Sequence, residues 1–233
     1  MSFTFTRPLL SGKIIKRYKR FFADIILDSG EKIVAHVPNT GSMKTCLEEG
    51  WPCVVSDHRD TDRKLKYTLE YTHNKKSFIL VNTSIPNKLI KEAIIQDKIP
   101  ELSGYAEVIS EYKVGKSRID LLLKDKKLGM CFVEIKNVTL KEENQACFPD
   151  APTERGQKHL RELIDLKRQG HRSVIFFHIG RTDVESFTPA KNIDPLYAQL
   201  LQESHSQGVE ILCYQSDFLS PNIFIKKKIP YQI

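Results

Sequence analysis

The chain has 233 residues, 40% of them hydrophobic, and a formal net charge of +7. That length buries a sizeable core in one or two domains, and its longest apolar runs, such as Ser173–Phe177, are far too short to span a bilayer. Cys46, Cys53, Cys131, Cys147 and Cys213 form no C-x-x-C pair, which argues against a disulfide framework or a zinc site; Met1–Thr6 lacks the basic start and apolar core of a secretory leader, so the expected location is the cytoplasm.

From Leu10 to Val81 the pattern is one of short strands: Gly12–Ile15, Phe21–Leu27, Lys32–His36, Trp51–Ser56, Tyr67–Thr72 and Lys76–Val81. Asp28-Ser-Gly30, Asn39-Thr-Gly41, Asp57–Asp62 and His73-Asn74 separate them with turn chemistry. Strands of this number and length suit a small closed barrel, OB-like or SH3-like. The first hairpin interleaves Lys13, Lys16, Arg17, Lys19 and Arg20 with Tyr18, Phe21 and Phe22. Basic side chains neutralise phosphates, and an exposed aromatic stacks on an unpaired base. Tyr18 is the stacking candidate, with Phe21 and Phe22 read as strand core. Pro38-Asn-Thr-Gly-Ser has a turn composition, and its polar groups, Asn39 among them, either contact backbone phosphate or close a hairpin. Arg59, Arg63, Lys64 and Lys66 are offset by Asp57, Asp60 and Asp62 and read as a solvated loop, while Lys226–Lys228 reads as a solubilising tail. The overall basic balance is compatible with a polyanionic partner such as DNA.

From Asn82 onward helices alternate with strands. Leu89, Ile90, Ala93 and Ile94 have helical spacing after Pro86. Strands follow at Glu107–Val114, Ser117–Leu123 and Gly129–Lys136. Thr153 has the position of an N-cap for a helix over 154–169, which Gly170 stops. Arg172–Ile179 is an apolar strand, Pro195–Ser206 a helix and Val209–Tyr214 a last strand. Strand 129–136, helix 154–169 and strand 172–179 make one crossover unit, expected to be parallel and right-handed. A helix-turn-helix over Leu200–Leu212 is disfavoured, because Val209–Tyr214 has strand composition.

The chemistry concentrates in Ser117-Arg-Ile-Asp120 and Cys131-Phe-Val-Glu134-Ile-Lys136. Strand alternation puts Glu134 and Lys136 on one face, opposite the β-branched Val133 and Ile135. The short turn Lys124–Gly129 brings Asp120 back beside them. Charges that interrupt a buried run are costly unless they serve a site. Two carboxylates and a lysine at a strand end suit a site in which hard oxygen ligands hold Mg²⁺ or Mn²⁺ and the ammonium positions a water.

This arrangement resembles the PD-(D/E)xK nuclease superfamily. Pro38–Met43, Ser103-Gly-Tyr105, Ser117–Asp120, Val133–Leu140 and Phe148–Leu163 more closely resemble the motifs of the SfsA (sugar fermentation stimulation protein A) family, over most of the chain from Leu10 to Ile229. The resemblance implies an α/β (α+β) chain: an OB-like β-barrel over residues 1–82 that binds nucleic acid, then a restriction-endonuclease-like mixed-sheet domain with flanking helices over 83–233. It further implies sequence-independent DNA binding and a role in regulating sugar (maltose) metabolism. Asp120, Glu134 and the Ile135 carbonyl are then the metal ligands, and Lys136 orients the attacking water. Glu92 matches the extra acidic residue of the first helix in such domains, and Arg155, Gln157 and Lys158 present polar groups to the scissile phosphate. His159, a lone helix histidine, is read as packed or exposed more readily than as catalytic. Two functions follow: a DNA-binding protein with a nuclease-like metal site, or a Mg²⁺-dependent deoxyribonuclease.

Overall fold

The computed structural model describes residues 3–115 and 117–233. Its first strand, β1 (Phe3–Thr4), lies at the edge of the second of two large sheets. Alternating buried and outward residues then build the first sheet from β2 (Leu9–Tyr18), β3 (Phe22–Leu27), β4 (Lys32–His36), β5 (Pro52–Asp57), β6 (Tyr67–His73) and β7 (Phe78–Leu80). The order is β4-β3-β2-β5-β6-β7, and parallel pairing of Ala35 with Tyr67 and His36 with Thr68 joins β4 to β6. That closure makes a five-stranded barrel of the OB type rather than an open sheet. Ile14, Ile25, Ile33, Val55, Leu69 and Ile79 fill it, each contributing about 1.5–3 kcal/mol by leaving water.

Helix α1 (Ile85–Ile95), which takes Pro86 in its first turn, leads into β8 (Glu107–Val114), β9 (Ser117–Asp125) and β10 (Gly129–Val138). Then come β11 (Leu140–Glu142), β12 (Gln145–Phe148), α2 (Glu154–Arg168), β13 (Arg172–Ile179), β14 (Ser186–Pro189), α3 (Pro195–Ser206), β15 (Glu210–Leu219) and β16 (Asn222–Lys228). The second sheet runs β1-β16-β15-β13-β10-β9-β8. β10 and β13 pair in parallel around α2, as expected of the crossover unit, and β13 and β15 pair in parallel around α3. Side chains of β13 divide between two cores by the period of two. Ile175 and Phe177 pack with Leu160 and Leu163 of α2 and Leu201 of α3, whereas Val174 and Phe176 pack with Ile90 and Ile94 of α1. The sheet is therefore covered on both faces, which is why its central strands read as continuous apolar runs.

Two sequence readings change, and one sheet is new. Lys226–Lys228 is no tail: it ends β16, where Lys226 meets Asp217 at 2.7 Å and Lys228 meets Glu101 at 2.6 Å. Phe21, read as core, is 44% exposed in the turn between β2 and β3. A small sheet, β11-β12-β14, joins strands too short and polar to show a period. No helix among the described residues is long and apolar enough to cross a membrane.

Barrel and second sheet meet through buried polar contacts. The Leu80 amide donates to the Gly180 carbonyl at 2.8 Å. Fully buried Arg181 donates to the carbonyls of Thr45 and Thr139 at 3.1 and 2.7 Å and pairs with Asp183, which also accepts from Asn74 of the barrel at 2.9 Å. Buried donors matched to carbonyls on both sides hold the two bodies in one register.

Candidate metal and nucleic-acid site

The β9–β10 ladder pairs Leu121 with Val133 and stops there. One residue further on, the strands no longer exchange backbone bonds. Asp120 takes over the vacated donor: its Oδ2 accepts from the Ile135 amide at 2.8 Å, and its Oδ1 accepts from Asn87 Nδ2 of α1 at 2.8 Å. Burial first, and then the neighbouring Glu134 charge, raise the Asp120 pKa above its ordinary value.

Glu134 is 2% exposed and sits in a different environment. Its Oε1 accepts from Lys136 Nζ at 2.6 Å and contacts His159 Nδ1, which itself lies 3.1 Å from Lys136 Nζ. Burial pushes the Glu134 pKa up, but the His159 contact and the Lys136 charge outweigh it, and the net shift is downward. Its Oε2 is buried with no hydrogen-bond partner. An orphaned carboxylate oxygen of this kind costs about 1–3 kcal/mol, a cost that a cation at that oxygen removes.

Helix α2 delivers His159. Thr153 Oγ1 caps it by accepting from the Gly156 amide at 3.0 Å. Asp194, the N-cap of α3, accepts from the Thr153 amide at 2.9 Å and from Gln157 Nε2 at 3.0 and 3.1 Å. The helix start is thus locked in place, and Gln157 is consumed in locking it.

These groups form one wall of a cleft of about 650 Å³, lined by Asp120, Glu134, Ile135, Lys136 and Asn137. Arg20 and residues 39–42 of the barrel form the facing wall, with Arg155 and the segment 147–153 at the rim. Three devices fix the 39–42 loop. Asn39 Oδ1 accepts from the Gly41 amide at 2.9 Å. The Arg17 guanidinium donates to the carbonyls of Asn39, Gly41, Ser42 and Arg20 at 2.9, 3.1, 3.3 and 3.0 Å. Asp150 Oδ2 accepts from the Met43 amide at 3.1 Å. A Cβ at position 41 would lie 2.4 Å from that carboxylate oxygen, so only glycine admits this approach.

The structure thus brings together Asp120, Glu134, Ile135, Lys136, Arg20, Asn39 and Arg155. Other sequence-chosen residues lie elsewhere. Glu92 is exposed on α1, and the helix reaches Asp120 through Asn87 instead, a turn earlier. Lys158 lines an adjoining groove with Ser117, Arg118 and His159, which shares Arg155 with the cleft, and meets Glu162 at 3.6 Å. Arg17 serves the loop backbone, and the Asn39 side chain shapes its own turn. Tyr18 stacks on Phe22 with ring centroids 5.5 Å apart, Lys16 lies 3.6 Å from Asp24, and Lys13 faces another groove beside Pro52 and Phe78. His159 is indeed packed, yet packed against Glu134 and Lys136. Its place two positions after Gln157 carried no signal, because the helix phase relative to the sheet is a tertiary fact.

Could these donors hold a metal? Among the described residues no group of three or more His, Cys, Asp and Glu side chains is assembled for one. Two carboxylates, one with an unpartnered oxygen, and the backbone carbonyl of Ile135 are an all-oxygen set. Such a set fits a hard divalent cation that keeps several waters.

The family model described as the sugar fermentation stimulation protein RE domain matches residues 84–221, and that of the SfsA N-terminal OB domain matches residues 15–81. The solved structure of Pyrococcus furiosus SfsA in complex with Ca²⁺ aligns over 100% of both chains, with 30% sequence identity and a TM-score of 0.90. An EndoMS–dsDNA complex aligns at 15% identity over 92% of this chain and 88% of that one, with a TM-score of 0.31. A repair endonuclease from Pyrococcus abyssi aligns at 10% identity over 91% and 89%, with a TM-score of 0.29. At TM-scores this low neither bears on what this chain does.

Proposed function

Since the chain belongs to the SfsA family, we propose that it binds DNA, largely independently of sequence, in the cleft between barrel and second sheet, over a divalent cation held by Asp120 and Glu134. The observation that carries this reading is the pairing of the two walls. Arg20 and the 39–42 loop face a carboxylate pair, half-buried Asp120 and buried Glu134, in which Glu134 Oε2 lacks a partner. Arg20 and Arg155 supply phosphate-neutralising charge, and backbone contacts of this kind position DNA without reading its sequence. Among the described residues α3 is followed by β15, a strand where a helix-turn-helix would need its reading helix. Any effect on sugar-metabolism genes acts through this same contact. The barrel strands within residues 1–82 serve as the docking unit and 83–233 as the nuclease-like domain, although the expected boundary at 82 is crossed by β1 (Phe3–Thr4), which pairs with β16 in the second sheet. The Pyrococcus furiosus relative was solved with Ca²⁺, a cation whose all-oxygen ligand chemistry matches the donors here; Mg²⁺ or Mn²⁺ is the proposed occupant.

A second reading, phosphodiester hydrolysis, is favoured by the cluster of buried Glu134 and His159 with half-buried Lys136. When bound, the cation would polarise a phosphoryl oxygen and lower the pKa of a water. The protein's own part is to hold Lys136 through Glu134 Oε1, to which His159 Nδ1 also donates, so that the ammonium stands where it would orient a water beside the phosphate. Asn87 and the Ile135 amide keep Asp120 in place meanwhile.

Plasmid cleavage with Mg²⁺ or Mn²⁺, measured for wild type, Glu134→Ala and Lys136→Ala beside duplex affinity, separates the two readings. Hydrolysis predicts cleavage that falls by orders of magnitude in both variants, with affinity little changed in Lys136→Ala, which leaves both carboxylates in place. Equal background cleavage by all three proteins on duplex, single-stranded and junction DNA, with binding intact, leaves the binding function alone. Absence of binding at low salt removes both.

A further inference from the structure

Lys19, Arg20 and Phe21 connect β2 to β3 at the tip of the first hairpin, and two of them adopt a backbone that their side chains disfavour. Lys19 has φ +48° and Arg20 has φ +63°, left-handed values that turns normally fill with Gly, Asn or Asp. The tip backbone is nevertheless fixed. The Phe21 amide donates to the Lys19 carbonyl and the Val37 amide to the Phe21 carbonyl, each at 2.8 Å, and Arg17 Nε donates to the Arg20 carbonyl at 3.0 Å. All three side chains stay exposed, Phe21 at 44%. A lone exposed phenylalanine would carry nothing. Here it stands on a rigid, strained tip, next to two cations, and Arg20 also lines the proposed DNA cleft.

We propose that this tip is the site that engages an unpaired base: Phe21 stacks on it while Lys19 and Arg20 hold the flanking phosphates, so the preferred partner is single-stranded or locally opened DNA. The inference rests on the cleft reading and names its substrate form. Charge complementarity and continuity with the cleft through Arg20 carry it. Aromatic stacking needs only a base's π-face and therefore keeps the sequence tolerance proposed above. Strain at Lys19 and Arg20 follows the pattern of functional sites, where an unfavourable backbone is retained for what its side chains do.

Fluorescence anisotropy with a single-stranded oligonucleotide and a blunt duplex of equal length tests this on the full chain. Phe21→Ser should weaken single-strand binding about tenfold and leave the duplex within about twofold, and Phe21→Trp should retain single-strand affinity. K19N/R20G places residues suited to positive φ in the turn, so its unfolding midpoint should rise while its single-strand affinity falls. An unchanged single-strand affinity in Phe21→Ser, an equal loss on both DNAs, or a lowered midpoint in K19N/R20G overturns the inference. Wild type that binds the duplex but not the single strand overturns it alone; wild type that binds neither overturns the cleft reading as well.

Discussion

Asp120→Asn and Glu134→Gln, made one at a time, should move the stability of the metal-free protein in opposite directions. Asp120 has a raised pKa, from burial first and the Glu134 charge second. A carboxylate raised in this way adds stability below its unfolded pKa and loses it as pH climbs through the folded value, so at neutral pH its charge is a liability. Asparagine removes the charge and still accepts from the Ile135 amide, while Asn87 turns its own amide to suit. The expected change is within about 1 kcal/mol and on the stabilising side. Glu134 has a lowered pKa, a contribution present above the unfolded value and lost on acidification. Glutamine leaves the Lys136 ammonium, 12% exposed, without its counter-charge, and breaking a buried pair costs about 3 kcal/mol. For a chain of this length that lowers the midpoint by about 6–12 °C. A divalent cation at one hundred times its Kd should add about 2.7 kcal/mol to wild type, roughly 5–10 °C, and nothing to either variant. Thermal and urea unfolding with EDTA and with Mg²⁺, Mn²⁺ or Ca²⁺ measures all of this. Equal destabilisation by both variants would contradict the assigned roles, as would a full metal shift in Asp120→Asn.

Two further outcomes follow from His178 and Gly41. His178 is fully buried between Asn137 Oδ1 at 2.9 Å and Ser216 Oγ at 2.8 Å, and burial lowers its pKa to about 3. Its contribution is complete above the unfolded pKa and declines below it, by about 2 kcal/mol between roughly pH 8 and pH 5. Urea unfolding across that range should show a slope shallower by this amount in His178→Gln, and identical slopes would count against it. Gly41→Ala sets a methyl against the Asp150 carboxylate and should displace the 39–42 loop, at about 1–3 kcal/mol. DNA affinity should fall along with the midpoint, and retention of both would show that the loop tolerates the contact.

Much of this site was legible in the sequence, for a definable reason. A period of two places Glu134 and Lys136 on one face, and a hairpin returns Asp120 to them. Both are local rules. The closed barrel was legible too, because turn chemistry punctuates alternating strands, although its OB-type closure rests on pairs between residues 35–36 and 67–68 that no local pattern encodes. Helix residues were harder. Asn87 rather than Glu92 meets Asp120, and His159 rather than Lys158 meets Glu134, since composition does not set the rotation of a helix against a sheet. Arg17 misled for another reason: a guanidinium chosen for phosphate has backbone carbonyls as partners, and basic charge does not distinguish the two uses. Phe21 was assigned to the core on apolarity, but β3 begins one residue later than the strand pattern indicates and leaves Phe21 in the turn. The β11-β12-β14 sheet depends on pairing of residues 145–148 with 186–189, a long-range contact between short segments.

DNA held between the two walls is the central claim. The decisive measurement is the salt dependence of affinity for unrelated duplexes, compared between wild type and R20A/R155A. Wild type should bind in the ~10⁻⁴–10⁻⁶ M range at physiological salt, with a steep negative slope of log K against log salt concentration. The double variant should bind every duplex more weakly by a similar factor and show a slope shallower by about 1.8, the loss of two phosphate contacts. A flat wild-type response, or a double variant with undiminished affinity and slope, would place DNA outside this cleft.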